Sequence, residues 1–246
     1  MTRLWTMLLL LCALGPPAGA VTCEKVSFKG ADYTVCKVDA RTQKLSLFLR
    51  DDQGDVYGQF SSINNALSER GERLSFAMNA GMYHEDRSPV GHYIENGQEV
   101  MRVIPNAGPG NFGLLPNGVL CLREGRADVF ETGHYIAEAP ACIHATQSGP
   151  MLVIDGALHP RFLENGTSRY IRNGVGTSAD GASVVFVISE EPVNFHSFGT
   201  FFRDQLQTPN ALYFDGNISR LYAPVIDRSD FGFALGPIIG VVEPLE

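Results

Sequence analysis

Short apolar runs closed by Asx-Gly turns recur along this chain, and they leave it few ways to fold. Glu95-Asn-Gly-Gln, Asp155-Gly156 and Asp180-Gly-Ala each separate two such runs. Asn-Gly and Asp-Gly tolerate the positive φ of tight turns whose twist matches antiparallel strands, so each pair is a hairpin signal. Glu95, Asp155 and Asp180 are assigned to these turns. Leu114-Leu-Pro116-Asn-Gly118 reads as a further hairpin turn leading into Val119 to Leu122. Tyr33 to Val38 and Lys44 to Leu49 alternate apolar and polar residues as strands of a meander, and Val184 to Ile188 is a fully apolar strand. Two stretches have helical spacing. One begins with Ser61 or Ser62 as N-cap, turns Ile63, Ala66 and Leu67 to one face and stops at Gly71. The other spans Asn194 to Leu206, with Phe195, Phe198, Phe201, Phe202 and Leu206 inward and Ser197 and Gly199 outward. The expected class is α+β: a mostly antiparallel, hairpin-rich sheet system with a few helices on one face, in a single domain over 21–246.

The N-terminus sets the compartment. Arg3, the apolar run Trp5 to Leu14, the break at Gly15-Pro-Pro and Ala18-Gly-Ala20 read as a secretory signal over residues 1–20. The protein is therefore expected to be exported, periplasmic or secreted, with a mature chain of 226 residues starting at Val21. No later apolar stretch is long enough to span a bilayer, so no integral membrane segment is expected in the mature chain. Cys23, Cys36, Cys121 and Cys142 survive cleavage, an even number that favours two disulfides outside the cytosol. Of the three pairings, Cys23–Cys36 and Cys121–Cys142 close short loops and are preferred. No Cys-x-x-Cys pair and no suitably spaced histidine suggests zinc, and neither metal nor cofactor is expected. The whole chain carries a net charge of −8, which becomes −9 without Arg3, and no basic run appears. Nucleic acid is an unsuitable partner for such a surface.

The chemistry-bearing stretches lie at the ends of apolar runs. Asn210-Ala-Leu-Tyr-Phe-Asp215-Gly-Asn-Ile-Ser219 is a short buried strand ending on a carboxylate beside a glycine. That combination builds ligand sites, although the motif alone favours an Asp-Gly hairpin turn. Asn79-Ala-Gly-Met-Tyr83 directly follows the strand Leu74 to Met78. Gln147-Ser-Gly-Pro150 follows Ile143 to Thr146, and Arg172 enters Asn173-Gly-Val-Gly176. An arginine entering an apolar strand needs an acidic partner or an anionic ligand. His84 and His92, beside the Asn79 loop, read as surface or hydrogen-bonded histidines rather than ligands. Gly108-Pro-Gly110-Asn-Phe-Gly113 matches G-x-G-x-x-G, but the turn residues after it allow no helix, which a dinucleotide fingerprint must open.

Taken in order, Asn79-Ala-Gly-Met-Tyr83, Ser148-Gly149, Arg172-x-x-x-Gly176 and Asp215-Gly-x-x-Ser219 resemble the phosphodiester glycosidase family across about residues 74–223. The bacterial exported branch is closer. The animal branch carries glycines where this chain has Asn217 and Ile218. The resemblance implies hydrolysis of the bond between a sugar's anomeric carbon and phosphate, with a carbohydrate phosphodiester as substrate. It implies Asp215 and Arg172 as catalytic, and Asn79, Gly81, Tyr83, Gln147, Ser148, Gly149, Gly216 and Ser219 as substrate-binding. The chemistry suits these residues. Cleavage develops an oxocarbenium-like centre and a departing phosphate, which call for a carboxylate and a cation. Asn79, Ser148, Arg172 and Asp215 are expected to converge on one cleft. A non-catalytic glycan- or envelope-binding protein on the same fold, and a hydrolase of ordinary glycosides, remain open at this point.

Overall fold

The computed structural model describes residues 19–215 and 217–245. The export signal read over 1–20 lies outside these residues except for Gly19 and Ala20, as does Gly216. In chain order the first elements are β1 (Thr22–Phe28), β2 (Ala31–Asp39), β3 (Lys44–Phe48), α1 (Phe60–Ser68), β4 (Glu72–Asn79), β5 (Tyr93–Glu95) and β6 (Gln98–Met101). Next come β7 (Gly118–Arg123), β8 (Arg126–Glu131), α2 (Thr132–Glu138), β9 (His144–Ser148), β10 (Met151–Ile154) and β11 (Ala157–Leu158). The last are β12 (Asn173–Thr177), β13 (Ser183–Ser189), α3 (Phe195–Thr200), β14 (Asn210–Asp215), β15 (Leu221–Ala223), β16 (Arg228–Ser229) and β17 (Ile238–Pro244).

These strands make three sheets, ordered β1-β2-β13-β12-β14-β10-β11, β16-β15-β4-β17-β3 and β6-β5-β9-β7-β8. Neighbouring strands in all three run antiparallel. The mostly antiparallel α+β class read from the sequence is the class observed. Period-two alternation then sorts the side chains. Val184, Phe186 and Ile188 of β13, Phe76 and Met78 of β4, and Leu120 and Leu122 of β7 all meet in one central core between the sheets. The intervening residues face outward, and each sheet buries that second face under its own helix. Phe60, Ile63 and Leu67 of α1 cover Leu74 and Ala77. Tyr135 of α2 covers Val119 and Ala145. Phe198, with Phe201 and Phe202 just beyond α3, covers Val185, Val187 and Tyr213.

This corrects the expectation of helices on one face. Strands buried on both sides need a cover for each outer face, and one helix cannot reach all three sheets. Helix α1 starts earlier than read, with Gln59 rather than Ser61 or Ser62 at the cap position. Gln59 makes no side-chain cap because its amide serves elsewhere, accepting from Arg220 at 2.8 Å and donating to the Gly232 carbonyl at 3.2 Å. Asn194 does cap α3, accepting from Ser197 N at 2.8 Å. That helix then widens into a π turn over Phe201–Gln205, which keeps Phe201 and Phe202 both buried. Gly199 consequently faces in, not out: a Cβ there would sit 3.1 Å from Leu158 and 3.2 Å from the Leu152 carbonyl.

Leu114–Gly118 is not a hairpin turn, because β7 pairs with β8 and β9. Asn117 is fully buried and braces the loop, donating to the Phe112 carbonyl at 3.1 Å and accepting from Thr132 Oγ1 at 2.7 Å. The preferred disulfides are present. Cys23–Cys36 joins directly opposed residues of β1 and β2, and Cys121–Cys142 ties β7 to the segment before β9. Asn96 and Asp155, at φ 51° and 46°, occupy true turns as read. Asp215 does not, because β14 and β15 belong to different sheets and the chain crosses between them after it.

Candidate active site

The crossing after Asp215 lies where strand ends from all three sheets come together. Asn79 ends β4, Asn173 begins β12, Asp215 ends β14 and Ser148 ends β9. Two asparagine side chains, both with zero exposure, hold this junction. Asn173 Nδ2 donates to Asn79 Oδ1 at 2.9 Å and to the Asn79 carbonyl at 3.1 Å. Asn79 Nδ2 donates to the Ile218 carbonyl at 2.8 Å, and its Oδ1 also accepts from Arg220 N at 2.9 Å. Asn173 Oδ1 accepts from Asp215 N at 3.1 Å and lies 3.4 Å from Ser219 Oγ. An amide side chain suits both positions because each must donate and accept at once. The ladder between β12 and β14 is irregular here: Asn173 faces Asp215 but Gly174 faces Tyr213, so Phe214 is an extra residue. Such a bulge re-aims the strand end.

The carboxylate of Asp215 is half-buried and accepts from Asn217 N at 3.0 Å. Ser219 Oγ closes the turn, donating to the Ile171 carbonyl at 3.0 Å and lying 3.2 Å from the Asp215 carbonyl. Ser148 Oγ donates to the Phe214 carbonyl at 2.9 Å, so its hydroxyl holds the end of β14. Two phenols feel the Asp215 charge. The Tyr83 hydroxyl has its pKa raised by burial and then by Asp215, with Arg87 and Arg220 opposing. Tyr213 is raised by burial above all and by Asp215, against the pull of Arg172.

Arg172 is fully buried, on the opposite side of the chain from its neighbour Asn173. Its Nε donates to the Val193 carbonyl at 2.9 Å and Nη2 to the Ser168 carbonyl at 3.0 Å. The guanidinium lies 3.6 Å from the Phe195 ring centre and 5.2 Å from that of Tyr213. Burial lowers its pKa. Arg172 Nη1, Tyr213 Oη and Tyr83 Oη are buried; the Arg172 and Tyr213 side chains hydrogen-bond to each other, and the Tyr83 hydroxyl lies in reach of the Gly236 backbone. Tyr213 feels the charges of both Arg172 and Asp215.

Other expected site residues lie apart from this cluster. Gln147 leaves β9 on the face opposite Ser148. Its Oε1 accepts from His92 N and Ile104 N, both at 3.0 Å, and its Nε2 donates to the Ile104 carbonyl at 2.8 Å. Gly149 packs against Asn117, where a Cβ would come within 2.7 Å. Gly81 allows the loop after β4 to touch β9, since a Cβ there would lie 2.5 Å from Thr146 Oγ1. His92 is hydrogen-bonded as read, to the Met101 carbonyl and Tyr135 Oη at 2.9 Å each.

Three members were not singled out from the sequence: Asn173, Tyr213 and Arg220. Asn173 and Tyr213 sat inside the quoted motifs as strand residues, and Arg220 directly follows Ser219. Arg220 is buried and engages the Asp230 and Phe233 carbonyls and Gln59 Oε1 at 2.8, 2.9 and 2.8 Å. It ties the 230–236 loop to the asparagine pair.

Fold and site together define an antiparallel three-sheet protein that presents an aspartate at the meeting point of its sheets. The chain belongs to the phosphodiester glycosidase family, which it matches over residues 72–237. It is 32% identical to the uncharacterized protein YigE of Escherichia coli (strain K12) over 213 residues, covering 84% of this chain and 81% of YigE. The zebrafish N-acetylglucosamine-1-phosphodiester alpha-N-acetylglucosaminidase catalytic domain, auto-inhibited by its pro-peptide, superposes with a TM-score of 0.63 at 13% identity. That match covers 93% of this chain and 84% of the zebrafish chain. A protein of Burkholderia pseudomallei K96243 superposes at 0.57 with 12% identity, over 86% of this chain and 74% of that one.

Proposed function

We propose that the protein is an exported glycosidase that hydrolyses the bond between the anomeric carbon and phosphate of a glycosyl phosphodiester. Water adds to the anomeric carbon and releases one proton to solvent, the bond from that carbon to the phosphate oxygen breaks, and a phosphate monoester departs with the bonding electrons. Phosphate is a good leaving group, so strong acid assistance is not required. Asp215 supplies negative charge to the oxocarbenium-like centre. Arg172 is assigned to the charge of the departing phosphate, acting from behind the Tyr213 phenol. Two disulfides support an oxidising compartment outside the cytosol.

The observation that carries this reading is the half-buried Asp215, whose backbone N–H donates to Asn173 Oδ1 and whose carboxylate accepts from Asn217 N at a crossing between sheets rather than in a hairpin turn. The test is Asp215→Asn. Asparagine fills the same space and can still accept from Asn217 N, so the melting temperature should hold. Turnover of an N-acetylglucosamine-1-phosphodiester should fall about a thousandfold, the scale of removing a group that acts on the transition state. Wild-type turnover in this variant removes Asp215 from the chemistry. Assaying aryl glycosides beside phosphodiesters separates the proposed reaction from ordinary glycoside hydrolysis.

A further inference from the structure

Strand β9 carries a polar side chain at each end. Ser148 faces Gly118 of β7 and holds the end of β14, whereas His144 faces Leu122 at the other end. Four residues along a strand separate the two by about 13 Å. Around His144 the central core opens into a cleft of about 380 Å³, within the range of small-molecule sites. The turn between β2 and β3, the tip of the β7–β8 hairpin and the Asn96 turn form its walls. Leu45, Leu122 and the 45% exposed Ile143 supply apolar surface. His144 itself is 5% exposed, and its Nδ1 accepts from Asn96 N at 3.3 Å. The ring proton is therefore on Nε2. Among the described residues no group accepts from Nε2, and the ring lines the cleft. Burial and the nearby Lys44 ammonium lower the ring's pKa to about 4, so Nε2–H is a neutral donor.

Four cations line the same cleft, Arg41, Lys44, Arg123 and Arg126, against one carboxylate, the exposed Glu124. Their partner carboxylates stand outside the lining. Arg41 forks onto Asp39 at 3.0 Å, Arg123 and Arg126 share Asp128, and Lys44, 69% exposed, lies 3.9 Å from Glu72. Asp180 also acts on Arg41 and Arg126. The cations thus face the cleft with little charge in excess, which suits one negative charge and not a dianion. We propose that this cleft binds a carboxylate carried on a short apolar body. His144 Nε2 and the Lys44 ammonium donate to the carboxylate oxygens, and Leu45, Leu122 and Ile143 pack on the carbon chain. The site is separate from Asp215 and does not depend on the reaction proposed above.

Isothermal titration of the mature protein near neutral pH tests it. Hexanoate should saturate a single site with a Kd of about 1 mM or tighter. Acetate, which lacks the body, and hexanamide, which lacks the charge, should each bind about tenfold more weakly or worse. Lys44→Met changes a largely exposed side chain, and His144→Asn keeps an acceptor for Asn96 N while removing the donor at the cleft. Each should weaken hexanoate about tenfold, and Asp215→Asn should leave it unchanged. If His144→Asn does not fold, Lys44→Met decides alone. Hexanamide binding as well as hexanoate, inorganic phosphate binding more tightly, or wild-type affinity in Lys44→Met overturns the inference. So does the absence of saturable hexanoate binding, or its loss in Asp215→Asn. A leucine-terminated peptide that binds more tightly than hexanoate, and loses this on C-terminal amidation, upholds the site and makes a chain terminus the source of the carboxylate.

Discussion

Replacing Arg172 by lysine keeps a positive charge yet should unfold the protein measurably. The guanidinium makes two charge-assisted bonds to backbone carbonyls, Nε to Val193 and Nη2 to Ser168, and stacks on Phe195 at 3.6 Å. Such bonds contribute about 1.5–3 kcal/mol each, and a desolvated cation–π contact about 2. The single ammonium of lysine can recover one bond but cannot span both carbonyls while lying flat on the ring. The net loss is about 3–5 kcal/mol. A domain of this size shifts by about 2–4 °C per kcal/mol, so the melting temperature should drop on the order of 10 °C. Thermal unfolding of the mature chain, followed by far-ultraviolet circular dichroism, measures it. An unchanged unfolding midpoint would refute the reasoning, since it would mean that these buried contacts contribute nothing to the fold. Turnover lost at full stability would instead place Arg172 wholly in the service of the ligand.

Three further outcomes are expected. Burial, with Lys44 nearby, lowers the His144 pKa to about 4 from an ordinary value of 6.5. The folded state therefore disfavours protonation, and about 3 kcal/mol of stability present above pH 6.5 should be lost as pH falls towards 4; His144→Asn should flatten that limb of a stability–pH curve. Cys121→Ser/Cys142→Ser should cost about 3 kcal/mol in chemical denaturation by releasing the 21-residue separation that the bond closes. Gly81→Ala should destabilise by about 1–3 kcal/mol, because its Cβ would overlap Thr146 Oγ1 and the Gln147 carbonyl; a wild-type melting curve would show that the loop after β4 yields freely.

Local signals served the reading where partners are near in sequence. The Asn96-Gly and Asp180-Gly turns join β5 to β6 and β12 to β13, and the cysteine pairs close short loops. Asp215 was legible as a strand-end carboxylate, although the hairpin alternative could be dismissed only once β14 and β15 were seen in different sheets. Asn173 was not legible as a site residue, because the groups that give it meaning, Asn79 and Ser219, lie 94 and 46 residues away. Gln147 looked like its neighbour Ser148, and only the pleat, which sends successive side chains to opposite faces, separates their roles. Helix α2 escaped because it is only seven residues long, contains Gly133 and is followed closely by Pro140. The division into three sheets depends on which distant strands pair, and alternation within a strand carries no record of that.

The position of β17 couples the far edge of its sheet to the site. This strand lies between β4 and β3, pairing Ile238 with both Asn79 and Phe48. On its other edge β4 pairs Met78 with Leu221 of β15, so the strand end that presents Asn79 is gripped from both sides. A substitution that loosens Ile238 would therefore reach the backbone of Asp215 through the Asn79–Asn173 clasp without touching any residue of the site.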